Sequence, residues 1–163
     1  MRCLFFLAAL ALSGTASAQV VVSGGYFEIS EDSADLSFGG VAGSVGYIIE
    51  MSPGFTIVPE MRLGTGTKDD SAAGFDFEVK SFYSVLVRGE WAIGDRFYAF
   101  LAPSYSNLDI EASGFGFNIR DDDWEIGGGA GLGFRITDYI SIEAAAEKYE
   151  NVDVLTVGLR FGI

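Results

Sequence analysis

The sequence predicts an all-β fold: an eight-stranded antiparallel, up-and-down β-barrel that crosses a membrane. Three observations predict it. Apolar residues recur at every second position over much of the chain, which is the period of a strand with one apolar face. Turn signals cut the chain into eight such stretches. Finally, 49% of the residues are hydrophobic, yet no apolar run after Ala18 is long enough to span a bilayer as a helix.

In chain order, residues 1–18, "MRCLFFLAALALSGTASA", read as a secretory signal peptide. Arg2 precedes an apolar core from Leu4 to Leu12, and Ala16-Ser17-Ala18 precedes a cut before Gln19. Cys3 lies ahead of that core, so no lipid anchor is expected at the cut. The remaining chain has no cysteine for a disulfide. Residues 19–163 form the barrel domain. Strands are expected near 20–30, 36–50, 55–67, 75–92, 96–111, 116–136, 139–149 and 153–163.

The third strand sets Phe55, Ile57, Pro59, Met61 and Leu63 against Thr56, Glu60, Arg62, Gly64 and Gly66. In the fourth, Phe75, Phe77, Val79, Tyr83, Val85, Val87 and Trp91 oppose Asp76, Glu78, Lys80, Arg88 and Glu90. The sixth, "WEIGGGAGLGFRITD", alternates Ile126, Ala130, Leu132, Phe134 and Ile136 with glycines. Its spacing fits no phosphate-binding fingerprint. The seventh opposes Ile140, Ile142, Ala144 and Ala146 to Ser141, Glu143, Ala145 and Glu147. The eighth opposes Leu155, Val157, Leu159, Phe161 and Ile163 to Thr156, Gly158, Arg160 and Gly162. Strand one is weakly patterned, and strand five, "RFYAFLAPSYS", leaves its facing open.

Tight connections at Met51-Ser52-Pro53-Gly54, Ile93-Gly94-Asp95 and Ile136-Thr137-Asp138 alternate with longer acidic ones at "SEDSA", "KDDSAAG", Glu111 to Asp123 and "KYENVD". That rhythm fits a transmembrane barrel with both termini on the periplasmic side. Tyr47, Trp91, Phe97, Tyr139 and Phe161 are expected in one aromatic girdle, and Phe27, Trp124 and Tyr149 in the other. With the apolar face toward lipid, the opposite face makes a lumen charge network of Glu60, Arg62, Asp76, Glu78, Lys80, Arg88, Glu125, Arg135, Glu143, Glu147 and Arg160. Gly127, Gly129, Gly131 and Gly133 then face inward and leave room for long charged residues of neighbouring strands. Reversed polarity, apolar inside, would instead give a soluble periplasmic ligand-binding barrel of the lipocalin kind.

Composition excludes several functions. The net charge of −13 becomes −14 once Arg2 leaves with the signal peptide, so nucleic acid is not an expected partner. There is no histidine, which excludes a Ser-His-Asp triad and a His-ligated metal. Inward Glu60, Glu125, Glu143 and Glu147 formally allow two-carboxylate chemistry, but inward arginines make structural ion pairs the expected role. Asp121, Asp123 and Glu125 have a calcium-loop spacing, but Ile126 occupies the glycine position and no closing Glu follows. No metal, cofactor or catalytic residue is expected. Phe115, Phe117 and Ile119, beside Asn118 and Arg120, suggest a hairpin that continues above the membrane.

The eight-strand pattern, the glycine-rich sixth strand and the ending "TVGLRFGI" resemble small outer-membrane β-barrels of Gram-negative bacteria, of the OmpA/OmpX and opacity-protein ("porin family") type. The resemblance implies that the chain sits as a monomer among outer-membrane lipid and lipopolysaccharide. It also implies that Leu159, Phe161 and Ile163 carry the signal read by the barrel-insertion machinery, although the family commonly ends in Phe. Enzymatic barrels of this kind use an essential histidine, which is absent here. The expected function is non-enzymatic: envelope integrity, or surface interaction through the acidic loops. A narrow channel for small solutes is the alternative.

Overall fold

The alternation becomes eight long strands, each antiparallel to the next. The computed structural model describes residues 19–31, 36–68, 70–72, 75–114, 117–121, 123–150 and 152–163; the expected signal peptide lies outside them. The wall consists of β1 (Gln19–Glu31), β2 (Leu36–Ser52), β3 (Phe55–Lys68), β5 (Phe75–Ile93), β6 (Phe97–Gly114), β8 (Trp124–Arg135), β9 (Ile140–Tyr149) and β10 (Val152–Gly162). Two short strands, β4 (Asp70–Ala72) and β7 (Phe117–Asp121), lie alongside β5 and β6. Pairing of β1 with β10, from Val21↔Gly162 to Glu31↔Val152, closes the barrel. Closure satisfies the backbone groups that an open edge would leave in lipid.

Hydrogen-bonded partners climb as they circle. From Ile57, near the turn end of β3, the register runs through Gly89, Leu101, Ala130, Ala146 and Leu155 to Glu28, near the loop end of β1. That stagger is what closing a tilted barrel requires. The tight connections fit their sequences. Gly54 (φ 80°) and Gly94 (φ 69°) take the left-handed conformation that glycine adopts without strain. In the third, the Thr137 hydroxyl accepts from the amides of Tyr139 and Ile140 at 3.2 and 3.0 Å.

The predicted polarity holds. Val45, Met61, Val85, Leu101, Leu132 (61% exposed) and Val157 point outward, while Glu60, Arg88, Glu147 and Arg160 are buried inside. This is the reverse of a soluble barrel. Strand facing left open in the sequence is now defined: on β6, Phe97, Leu101 and Tyr105 face out while Tyr98, Phe100 and Ala102 face in. Outward Tyr47, Trp91, Phe97, Tyr139 and Phe161 form the turn-end girdle as expected.

Three expectations need correction. Phe27 and Tyr149 are buried in the lumen, not girdle residues; the loop-end belt is Tyr83, Tyr105 and Trp124, with Tyr105 stacked on Trp124 at 4.8 Å. Lys80 is exposed, because a register shift between Val79 and Ser81 reverses the alternation and buries Val79 in its place. The expected sixth strand is two strands, β7 and β8.

Candidate functional site

The lumen is filled in two different ways along the barrel axis. In the turn-end half, carboxylates and guanidiniums from four strands, β3, β5, β9 and β10, interlock. Both Arg88 terminal nitrogens donate to Glu143, at 3.0 and 2.8 Å, and the Arg88 guanidinium lies 3.8 Å over the Phe100 ring. Glu143 also accepts from Tyr98 at 2.5 Å and from Arg160 at 3.2 Å. Arg160 donates to Glu90, which accepts from Thr56 at 3.3 Å. Nearer the loop end, both Arg62 terminal nitrogens donate to Glu147, at 3.0 and 2.8 Å. Tyr149 donates to the same carboxylate at 2.7 Å and meets Ser104 and Ser106, each at 3.0 Å. Paired, hydrogen-bonded charges are the form in which a narrow interior tolerates them.

In the loop-end half the filling is mainly apolar, although Asn107 and Asp109 are also buried toward that end. Phe27, Ile29, Phe38, Val79, Phe82, Tyr149 and Val154 form one buried cluster, with Phe27 and Phe82 tilted against each other at 5.6 Å. Beyond it, Asp123 and Glu125 lie at the outer mouth, beside a cavity of about 90 Å³.

The inward glycines of β8 are notches. A methyl group at Gly127 would collide with the Tyr149 ring, at Gly129 with Glu147, at Gly131 with Phe100 and at Gly133 with Tyr98. Three of the four notches receive an aromatic ring and only one a charged side chain, which corrects the expected reason for them.

The predicted network is thus assembled in part. Glu60, Arg62, Arg88, Glu143, Glu147 and Arg160 meet inside. Arg135 lies at the turn-end rim, 5.1 Å over Tyr98. Glu125 is at the opposite mouth, and Lys80 is outside. The side chains of Asp76 and Glu78, and most of the Asp121–Asp123 run, are outside the described residues, as is Phe115. Glu90, on the charged face but left out of the expected network, belongs to it, as do Tyr98 and the expected girdle residue Tyr149. Glu90 was findable, being two residues from Arg88 on the same face.

At the loop end, β5 and β6 overrun the other strands, and β4 and β7 flank them. The result is a four-stranded sheet, β4–β5–β6–β7, on one side of the mouth. Among the described residues β7 pairs with β6 alone. On β8, Trp124 to Gly127 pair only with β6, and pairing with β9 begins at Gly128↔Lys148. One side of the barrel therefore stands above the other and carries a strand edge that is unpaired among the described residues.

Comparison with known proteins agrees with this architecture. Solved structures with the same fold include Ail, the attachment invasion locus protein of Yersinia pestis (TM-score 0.66, 18% identity, 91% of this chain and 100% of that one). Neisserial surface protein A is similar at TM-score 0.59 and 16% identity, over 91% of this chain and 99% of that one. So is the N-terminal β-barrel domain of Pseudomonas aeruginosa OprF, at TM-score 0.59 and 12% identity, over 89% of this chain and 97% of that one. No curated protein matches the sequence. A family model, outer membrane protein beta-barrel domain, matches residues 3–161. An eight-stranded barrel with an apolar exterior and a paired-charge interior, matched over nearly its whole length by that model, belongs to the outer-membrane protein β-barrel domain family and resides in the bacterial outer membrane.

Proposed function

We propose that the protein is a non-enzymatic surface barrel whose function lies in the loop-end sheet, with the filled lumen as its rigid support. The observation that carries this reading is the asymmetry of the mouth: β4–β7 stand above the β9–β10 side and, among the described residues, leave the β7 edge unpaired. An unpaired edge is a template for an added extended segment. Chemistry narrows the partner. One Ail structure is a complex with the heparin analogue sucrose octasulfate. The strongly acidic chain here, with Asp69-Asp70 and Asp121-Asp122-Asp123 in its sequence, suits a cationic polypeptide better than a sulfated glycan.

The test compares cells displaying the wild-type barrel with cells displaying one in which residues 115–122 are excised. The expected result is loss of adhesion to basic extracellular-matrix protein, with the barrel still recovered in the outer membrane and still migrating more slowly on gels after boiling. Unchanged adhesion would overturn the sheet as the functional element. If the excised barrel also restored envelope integrity to a deletion strain, structural support of the membrane would be the function instead.

The same reading extends to biogenesis. Residues 1–18 serve as a cleaved signal peptide. The outward row Leu159, Phe161 and Ile163, all exposed, is the strand read by the insertion machinery, and the inserted barrel is a monomer in contact with lipopolysaccharide.

A further inference from the structure

We infer that the middle of the lumen is a binding site for one small monovalent cation, held by Glu60. Three observations meet there. The first is a charge imbalance: Glu60, Glu90, Glu143 and Glu147 face Arg62, Arg88 and Arg160. Arg135 does not correct it, because it lies at the turn-end rim against Tyr98 and the Asp95 carbonyl.

The second observation is how the partners are shared. Glu147 has both oxygens on Arg62, and Glu143 has both on Arg88. Glu90 is held by Arg160 and lies 3.2 Å from Arg88 Nε. Glu60, only 5% exposed, is left with Arg88 Nη1 at 3.5 Å, the nitrogen that already donates to Glu143 at 3.0 Å. The third is space. Glu60 borders a cavity of about 50 Å³ whose lining includes Ser23, Ser44 and Thr156. The Thr156 hydroxyl is buried there with no hydrogen-bond partner among the described residues.

A surplus negative charge in so enclosed a place is costly unless something positive joins it. Carboxylate and hydroxyl oxygens are ligands for hard cations. One positive charge balances these seven side chains, whereas a divalent ion would reverse the imbalance. At about 10–15 Å³ of such space per water-sized occupant, the cavity takes an ion of sodium size with a few waters. It excludes a bulky quaternary ammonium ion.

The experiment uses the refolded barrel, residues 19–163, in phosphatidylcholine vesicles, whose zwitterionic headgroups carry no net charge. Urea unfolding midpoints are compared in sodium chloride and in choline chloride at equal ionic strength. The expected result is a saturable fall of the wild-type midpoint when choline replaces sodium. That fall should shrink in Thr156→Val and vanish in Glu60→Gln, which keeps the shape and removes the charge. In choline, Glu60→Gln should be at least as stable as wild type. Equal wild-type midpoints in the two salts would overturn the site. A sodium effect that survives in Glu60→Gln would do the same, by placing the ion on the acidic loops. So would a Glu60→Gln chain that is less stable than wild type in choline or fails to refold, since the Glu60 charge would then be a needed partner and not a surplus.

Discussion

The two halves of the lumen solve one problem with opposite chemistry. An eight-stranded barrel leaves a channel about as wide as the side chains that must fill it. At the turn end that space holds Arg88, Glu143, Arg160 and Glu90 in mutual contact; at the loop end it holds Phe27, Ile29, Phe82 and Val154. The difference teaches that period-two alternation decides which residues enter the lumen, not what they are. It also sets how each half fails. Ion pairs are directional and shared, so losing one member strands several others. Apolar packing is local, and its loss leaves a cavity.

The largest expected effect breaks the charged half. Arg88→Ala removes the partner of Glu143 and a neighbour of Glu60 and Glu90, and should destabilise the barrel by about 3–5 kcal/mol in urea titrations in lipid. A loss below about 1 kcal/mol would show that water, not pairing, satisfies these groups. Next is a control on the wall that both halves share. Leu132→Arg and Val85→Arg place a charge in the lipid-facing band and should cost about 2–4 kcal/mol each. Neutral results would mean that the facing is wrong.

Smaller again is an overpacking test of a notch. Gly131→Val drives a branched side chain into the Phe100 ring and should cost about 1–3 kcal/mol. The double variant Gly131→Val with Phe100→Ala should recover part of that loss, and no recovery would separate the glycine from the ring. The last expectation is no effect at all. Wild type and Phe82→Ala should both be silent in planar bilayers, since the charged half closes the lumen without help. A reproducible channel in Phe82→Ala would make the apolar half the sole seal, and one in wild type would favour the pore reading.

Much of this was legible because lipid imposes a strict alternation. Leu155, Val157, Leu159 and Phe161 announce their face, and with it the inward position of Arg160. What hid was whatever broke the rule or looked the same under it. The irregularity at Val79–Ser81 adds a residue to one strand and turns Lys80 outward, and no composition signal marks it. Phe27 and Tyr149 sit toward strand ends, where an aromatic residue suits either a girdle or a plug; only the neighbours decide, and those are remote in sequence. The ion partners were hidden for the same reason. Arg62 meets Glu147 from 85 residues away, so a list of inward charges cannot say who pairs with whom.

The seam between β1 and β10 has a consequence for how the chain reaches this state. Val22 pairs with Phe161, and the Ile163 amide donates to the Val20 carbonyl at 2.8 Å. Each of these contacts spans nearly the whole domain, so forming it before the intervening hairpins are in place would close a very long loop. The entropy of closing that largest loop is offset only at the final step, and contacts of such sequence separation slow folding. Until then β1 keeps a full row of unsatisfied donors and acceptors, a liability in hydrocarbon and an invitation to strand exchange in water. Assembly of this molecule is therefore a race between closure and capture of the β1 edge, and whatever guards that edge sets the yield.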